Sequence, residues 1–219
     1  MNLTDGYHAS SDSQTITTFR ALVEAIIPNT PISASYGPEQ SAGALELGVH
    51  EYMIWELNHS LSLFVGYYLA EIPLAASTAM LLNDGAAQYI ASGKAQDPQF
   101  FAVWRGSSFA SLSPRDRIRV LAMLEQLDVD LGTLPPPYRN DGGLITFIVD
   151  FLNRGPMFGF YSEWSAYGST RLKTPTERRL EYFPISWKQA GYPGVSKGYR
   201  ALRGFLLKID RKDGGASNG

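Results

Sequence analysis

The stretch SPRDRIRVLAMLEQL, Ser113 to Leu127, decides the fold class. Ser113 is a good helix N-cap, Pro114 fits the first helical position where its missing N–H costs nothing, and Asp116 favours the positive end of the helix dipole. Ile118, Leu121, Leu124 and Leu127 recur at helical spacing and are expected to face a core, leaving Arg115, Arg119 and Glu125 in water. The spacing predicts a helix from Pro114 to Leu131.

The same period recurs on both sides of this segment. Phe19, Leu22, Val23, Ile26 and Ile27 predict a helix from Thr15 that stops before Pro28. Pro28, Pro31 and Pro38 predict a stiff, extended loop over Asn29 to Gln40. Further helices are expected at Ser41–Ser60, Leu74–Ser92, Pro98–Ala110 and Leu144–Asn153, and a last one from about Gly198 carrying Ala201, Phe205 and Leu206. Leu144, Phe147, Ile148, Phe151 and Leu152 mark the Leu144–Asn153 helix as a central one. Runs of β-branched residues bounded by hairpin turns are scarce, so the expected fold is all-α, a single irregular helical domain over 15–212. Residues 1–14 and 213–219 read as flexible ends. A chain that is 44% hydrophobic and 18% charged is able to bury a core, which excludes wholesale disorder.

The segment 155–195 departs from this regularity. Of the chain's 27 Phe, Trp and Tyr residues, 11 lie between Phe147 and Tyr192, interspersed with glycines and prolines at no fixed period. It reads as a largely non-regular aromatic arm, with Gly155 and Gly159 serving turns or caps. Tyr161, Trp164, Tyr167, Trp187, Tyr192 and Pro193 are the candidate partner-binding residues, because large rings with polar edges suit a surface buried against another protein. Whether those rings face a partner or the chain's own core is open at this stage. The arm is also basic: 7 Lys/Arg against 16 Asp/Glu precede Arg154, and 12 against 5 follow from it. Such a balance suits an acidic partner surface; no nucleic-acid motif accompanies it.

Catalytic signatures are sparse. The chain holds no cysteine, which removes disulfides, thiolate nucleophiles and thiolate metal sites. Gly-x-Ser-x-Gly, a phosphate-binding loop and a dinucleotide fingerprint are all missing. Glu56-x-x-His59 has the spacing by which one helix face offers two metal ligands, with Glu46 and His50 as candidate helpers, but a helical metal bundle needs a second copy of the motif and the chain has none. A stand-alone metalloenzyme built on Glu56 and His59 is therefore an alternative reading, and a self-assembling structural protein is another. The apolar run from Leu61 to Leu82 is broken by Gly66, Glu71 and Pro73, so no membrane span is expected. The amino terminus shows no export signal, which makes the cytoplasm the expected compartment, with a periplasmic destination if the chain is a mature form or is exported on another protein's signal.

Several motifs, in this order, resemble subunit 3, the small subunit, of gluconate 2-dehydrogenase and related flavoprotein complexes. They are Phe19-Arg-Ala-Leu-Val-Glu-Ala-Ile-Ile-Pro28, Gly43-Ala-Leu-Glu-Leu-Gly48 leading to Tyr52, Tyr161-Ser-Glu-Trp164, Tyr167-Gly168, Trp187 and Gly191-Tyr-Pro-Gly194. The resemblance implies a non-catalytic accessory subunit without a cofactor of its own. Its partner would be a large FAD-containing dehydrogenase of the glucose-methanol-choline type acting on sugars or sugar acids, and a cytochrome subunit is a further partner that the resemblance allows. The chain departs from a common family pattern in lacking a twin-arginine signal.

Overall fold

A computed structural model describes residues 13–61, 63–65, 70–96 and 106–194. Six α-helices dominate them: α1 Ser13–Ile26, α2 Val49–His59, α3 Ala75–Ala91, α4 Pro114–Glu125, α5 Gly142–Tyr161 and α6 Ile185–Ala190. A short antiparallel hairpin, β1 Leu63–Val65 with β2 Ala70–Ile72, joins α2 to α3 with Leu63 opposite Ile72. The expected all-α architecture holds, since the core is built from the helices and the turns that join them.

α1 is the hub. Its Phe19, Leu22 and Val23 are wholly buried, and the helix touches α2, α3, α4 and α5. Each of these partners supplies apolar side chains at helical spacing: Val49, Met53 and Leu57 from α2, Leu81 and Leu82 from α3, Val120, Leu121 and Leu124 from α4, and Ile145, Ile148, Val149 and Leu152 from α5.

The polar groups around Asn83 inside this core are paired. The Asn83 carboxamide accepts from Ser107 Oγ at 2.6 Å and from the Phe109 amide at 3.1 Å, and donates to Thr18 Oγ1 and the Ala79 carbonyl. One side chain thus ties the 106–112 turn to α1 and α3, which keeps its cost of burial low.

Several expectations are corrected. α4 keeps its Ser113 cap, whose Oγ accepts the Asp116 amide at 3.2 Å, but the helix ends at Glu125 and Leu127 turns away at φ 57°. Leu121 and Leu124 face the core as expected, but the first turn departs from that face. Arg117 is inside, while Ile118 is 41% exposed. The guanidinium tolerates this because it donates to the Ala21 and Ala110 carbonyls and to Glu24.

The proline-rich loop is not extended: Pro31–Tyr36 and Pro38–Ser41 are 3-10 helices, each opened by a proline whose fixed φ suits a first helical position. α2 starts at Val49 rather than Ser41, because Gly48 breaks the approach with a left-handed φ of 67°. α1 begins at Ser13, inside the stretch read as flexible.

α5 is the largest difference. It runs 20 residues through Pro156, well past the expected end at Asn153. Gly155 and Gly159 are interior positions, neither turns nor caps. A Cβ on Gly155 would lie 2.8 Å from Met53 Sδ, and one on Gly159 would strike the Tyr52 ring, so the two glycines let α2 cross close against α5. The arm is also more regular than expected, with 3-10 helices at Trp164–Thr170 and Pro175–Glu177 before α6. Within Pro98–Ala110, the described residues from Gly106 form turns. The rest of that expected helix, and the one expected from Gly198, lie outside the described residues.

Candidate functional site

Two tryptophans pin the arm to the helical body. Trp164 is 2% exposed; its indole Nε1 donates to the Gly48 carbonyl at 3.0 Å and its ring meets Tyr52 edge-on at 5.5 Å. Trp187, on α6, donates from Nε1 to the Tyr161 carbonyl at 2.8 Å. It is buried beneath Phe183 and Tyr192, which pack edge-on against it at 5.5 and 4.8 Å. Gln189 adds a hydrogen bond from α6 to the Glu39 carbonyl, which fastens the arm to the proline-rich turn.

This arrangement divides the six candidate residues. Trp164 and Trp187 pack within the chain, and Tyr167 is half-buried beside them. Tyr161, Tyr192 and Pro193 are exposed. Phe183, which no motif singles out, is 41% exposed on the same cluster.

The outer face of α5 extends the exposed apolar surface. Phe147 is 55% exposed, Phe158 65% and Tyr161 48%. Their spacings of eleven and three residues bring them to one side of the helix, along roughly 20 Å at about 1.5 Å per residue. The reading of Phe147 as core is thereby corrected. Ile148 and Leu152 fill the core side of α5, so the neighbouring 147 position turns outward. Because Trp187 is bonded to the Tyr161 carbonyl, the arm cluster sits at the C-terminal end of this stripe. The exposed Asp150–Arg154 ion pair separates Phe147 from Phe158 on this side, so the exposed rings gather at the C-terminal end of α5, where Phe158 and Tyr161 adjoin the arm cluster. Clustered exposed rings are a usual mark of a protein contact.

A second cluster lies on the other side of Trp164. The Arg178 guanidinium stands 4.2 Å from the Trp55 ring centroid, 4.9 Å from that of Trp164 and 5.9 Å from that of Tyr167. Burial draws its pKa below the ordinary arginine value, against the attraction of Tyr167 and Glu56. Arg171 fastens the same segment to α2 through Glu51 at 2.6 Å.

Two of the four candidate metal ligands, Glu46 and His59, are held in other contacts. Glu46 accepts from Asn29 Nδ2 at 2.7 Å and from the Gly43 amide at 3.0 Å, closing the turn before α2. His59 donates from Nδ1 to the Trp55 carbonyl at 2.8 Å and stacks on the Trp55 ring. His50 is 7% exposed; burial, then the charges of Arg20 and Arg171, lower its pKa to about 4, so the imidazole is neutral at ordinary pH. Among the described residues no group of three or more His, Asp or Glu side chains is placed to hold a metal ion.

A shallow cavity of about 350 Å³ opens between the ends of α3 and α4. Its lysine, Lys94, is paired with Asp128 at 2.9 Å, and its Gln88 is bonded to the Asp130 backbone. No helix among the described residues is long and apolar enough to cross a membrane. No protein-family model, curated protein or solved structure matches the chain.

Proposed function

We propose that this chain is a non-catalytic small subunit that binds and stabilises the large subunit of an FAD-dependent dehydrogenase of the glucose-methanol-choline type. Catalysis and the FAD belong to that partner, which acts on a sugar or sugar acid. The observation that carries the reading is the exposed aromatic cluster of Phe158, Tyr161, Phe183, Tyr192 and Pro193, in which Phe183, Tyr192 and the Tyr161 carbonyl pack on the buried Trp187. The choice of partner rests on the resemblance of the motif order to gluconate 2-dehydrogenase subunit 3.

The physical logic is preorganisation. Rings fixed before binding lose little entropy on docking, and each is worth about 1.5–3 kcal/mol of apolar burial before ordering costs. Aromatic anchors at the centre of an interface carry most of its energy.

The test is co-expression with the flavoprotein large chain encoded beside it, followed by size-exclusion chromatography. The expected result is one co-eluting species, lost in the Phe158→Asp variant, whose melting temperature stays close to that of wild type because this ring is 65% exposed. Two separate peaks with unchanged solubility of the large chain would overturn the proposal. Light scattering on the isolated chain separates this from self-assembly, which predicts oligomers in the absence of any partner.

A further inference from the structure

Residues Arg171 to Phe183 form a strap that leaves the helical body and returns to it. Most of its hydrogen bonds are local to the arm: Thr170 Oγ1 donates to the Arg179 carbonyl and accepts from the Arg179 amide, Glu181 accepts from Ser169, and the Glu181 amide donates to the Ala166 carbonyl. Such bonds shape the strap without fixing it to the rest of the protein. Two of its side chains reach α2: Arg171 through Glu51, and Arg178 through Trp55.

Arg178 is the unusual one. Its guanidinium lies within about 6 Å of three ring centroids, the distance at which a cation is drawn to a π face. Those rings come from two elements, Trp55 from α2 and Trp164 and Tyr167 from the 3-10 helix that follows α5. Nε donates to the Lys173 carbonyl at 3.1 Å, which orients the group. Nη2 is buried with no hydrogen-bond acceptor. A buried N–H without an acceptor is costly unless something else compensates, and the faces of electron-rich rings do so. Glu56, next to Trp55 on α2, adds a favourable charge. Trp164 cannot shift to suit another occupant, because its indole N–H is bonded to the Gly48 carbonyl.

We propose that Trp55, Trp164 and Tyr167 form a guanidinium-binding box that the chain fills with its own Arg178, and that this occupancy latches the 171–183 strap onto α2. Arg178 is a positioning residue in this arrangement. The strap carries Phe183 at its end, so the latch sets where part of the exposed aromatic cluster stands. The chemistry the box selects is a planar or alkylated cation, and an emptied box accepts one from solution.

Limited trypsin digestion reads the latch directly, because Arg171, Lys173 and Arg179 lie in the strap. In Arg178→Ala, cleavage at Lys173 and Arg179 is expected to accelerate about tenfold, the scale of one cation–π contact, while Arg20 and Arg115 in the helical body stay resistant. Methylguanidinium at millimolar concentration restores most of the resistance by occupying the emptied box; urea at the same concentration does not. Arg178→Met, with similar length and no charge, opens the strap as the alanine variant does, and Arg178→Lys lies between them. The proposal is overturned by any of three results: strap cleavage unchanged in the alanine variant, a methionine variant as resistant as wild type, or cleavage that rises equally across the helical body. It also fails if methylguanidinium gives no protection in the alanine variant. None of these readings requires the flavoprotein partner, so the box stands or falls separately from the docking proposal.

Discussion

The Trp164 indole N–H and the Gly48 carbonyl, 116 positions apart, meet at 3.0 Å and join the arm to the start of α2. Gly48 reaches this place through its left-handed φ of 67°, which ends the preceding turn and lets its carbonyl accept both the first-turn amides of α2, from Glu51 and Tyr52, and the Trp164 indole. The same short region holds Tyr52 against the Trp164 ring and Glu51 against Arg171. The beginning of α2 is therefore the seat on which the whole arm rests.

Replacing Trp164 separates the hydrogen bond from the packing. Trp164→Phe keeps most of the ring and loses the donor, which should cost about 0.5–1.5 kcal/mol, since the Gly48 carbonyl still accepts from the Glu51 and Tyr52 amides. Trp164→Ala adds a cavity and should cost about 3–5 kcal/mol. Urea denaturation of the two variants measures the difference; equal losses would show that the ring's packing adds nothing, and a phenylalanine variant as stable as wild type would show that the hydrogen bond contributes nothing.

Gly159→Ala should destabilise the fold even though alanine is the better helix former. Alanine gains about 1 kcal/mol of intrinsic helix propensity over glycine, whereas overpacking a tight contact costs about 1–3 kcal/mol. The added methyl would strike the Tyr52 ring, itself packed on Trp164, so the ring has little room to move. A lowered melting temperature is expected. Pairing the change with Tyr52→Leu should recover part of the loss, since the two sites share one contact.

These two sites show what the sequence reveals and what it hides. The start of α4 is legible from Ser113, Pro114 and Asp116, because a cap is a local device that depends on a few neighbouring residues. The length of α5 is not, because Gly155, Pro156 and Gly159 look like helix breakers until α2 is placed opposite them. The inward turn of Arg117 is hidden for a similar reason: its acceptors, Ala21 and Ala110, belong to other parts of the chain. For the arm, composition marks the rings, but only the hydrogen bonds of Trp164 and Trp187 separate those that anchor from those that face outward.

Arg117→Met should be far milder than Arg117→Ala. The buried guanidinium satisfies two backbone carbonyls, and its stem fills space beside α1. Alanine removes both, and should cost about 3–5 kcal/mol, the range for breaking a buried charged network. Methionine keeps much of the stem's volume and so avoids the cavity, while still leaving the two carbonyls without their guanidinium donor. Thermal melts of the two variants check the order; a methionine variant as unstable as the alanine one would assign the whole effect to hydrogen bonding.

His50 should make the protein acid-sensitive over a defined window. Its folded pKa of about 4 lies below the ordinary histidine value of 6.5, so between the two the unfolded chain binds a proton that the folded one does not. The groups acting on it are Arg20 on α1, Arg171 from the strap and Glu51 on its own helix, and the two arginines oppose a third positive charge. Stability is therefore fully present above pH 6.5, falls as the pH drops, and has lost this contribution once the pH passes below about 4. At about 1.4 kcal/mol for each pH unit separating the folded and unfolded values, the loss is on the order of 3 kcal/mol. Wild type and His50→Gln, compared by urea denaturation from pH 7 to pH 4, should converge in stability as the pH falls, because glutamine takes up no proton. Parallel curves for the two proteins would remove His50 as the cause and leave the acid response to the carboxylates, led by Asp116. Burial opposes ionisation of that carboxylate, but hydrogen bonds from the Gln96 amide, Arg119, Tyr89 and Ser113 outweigh it and hold the pKa below the ordinary aspartate value.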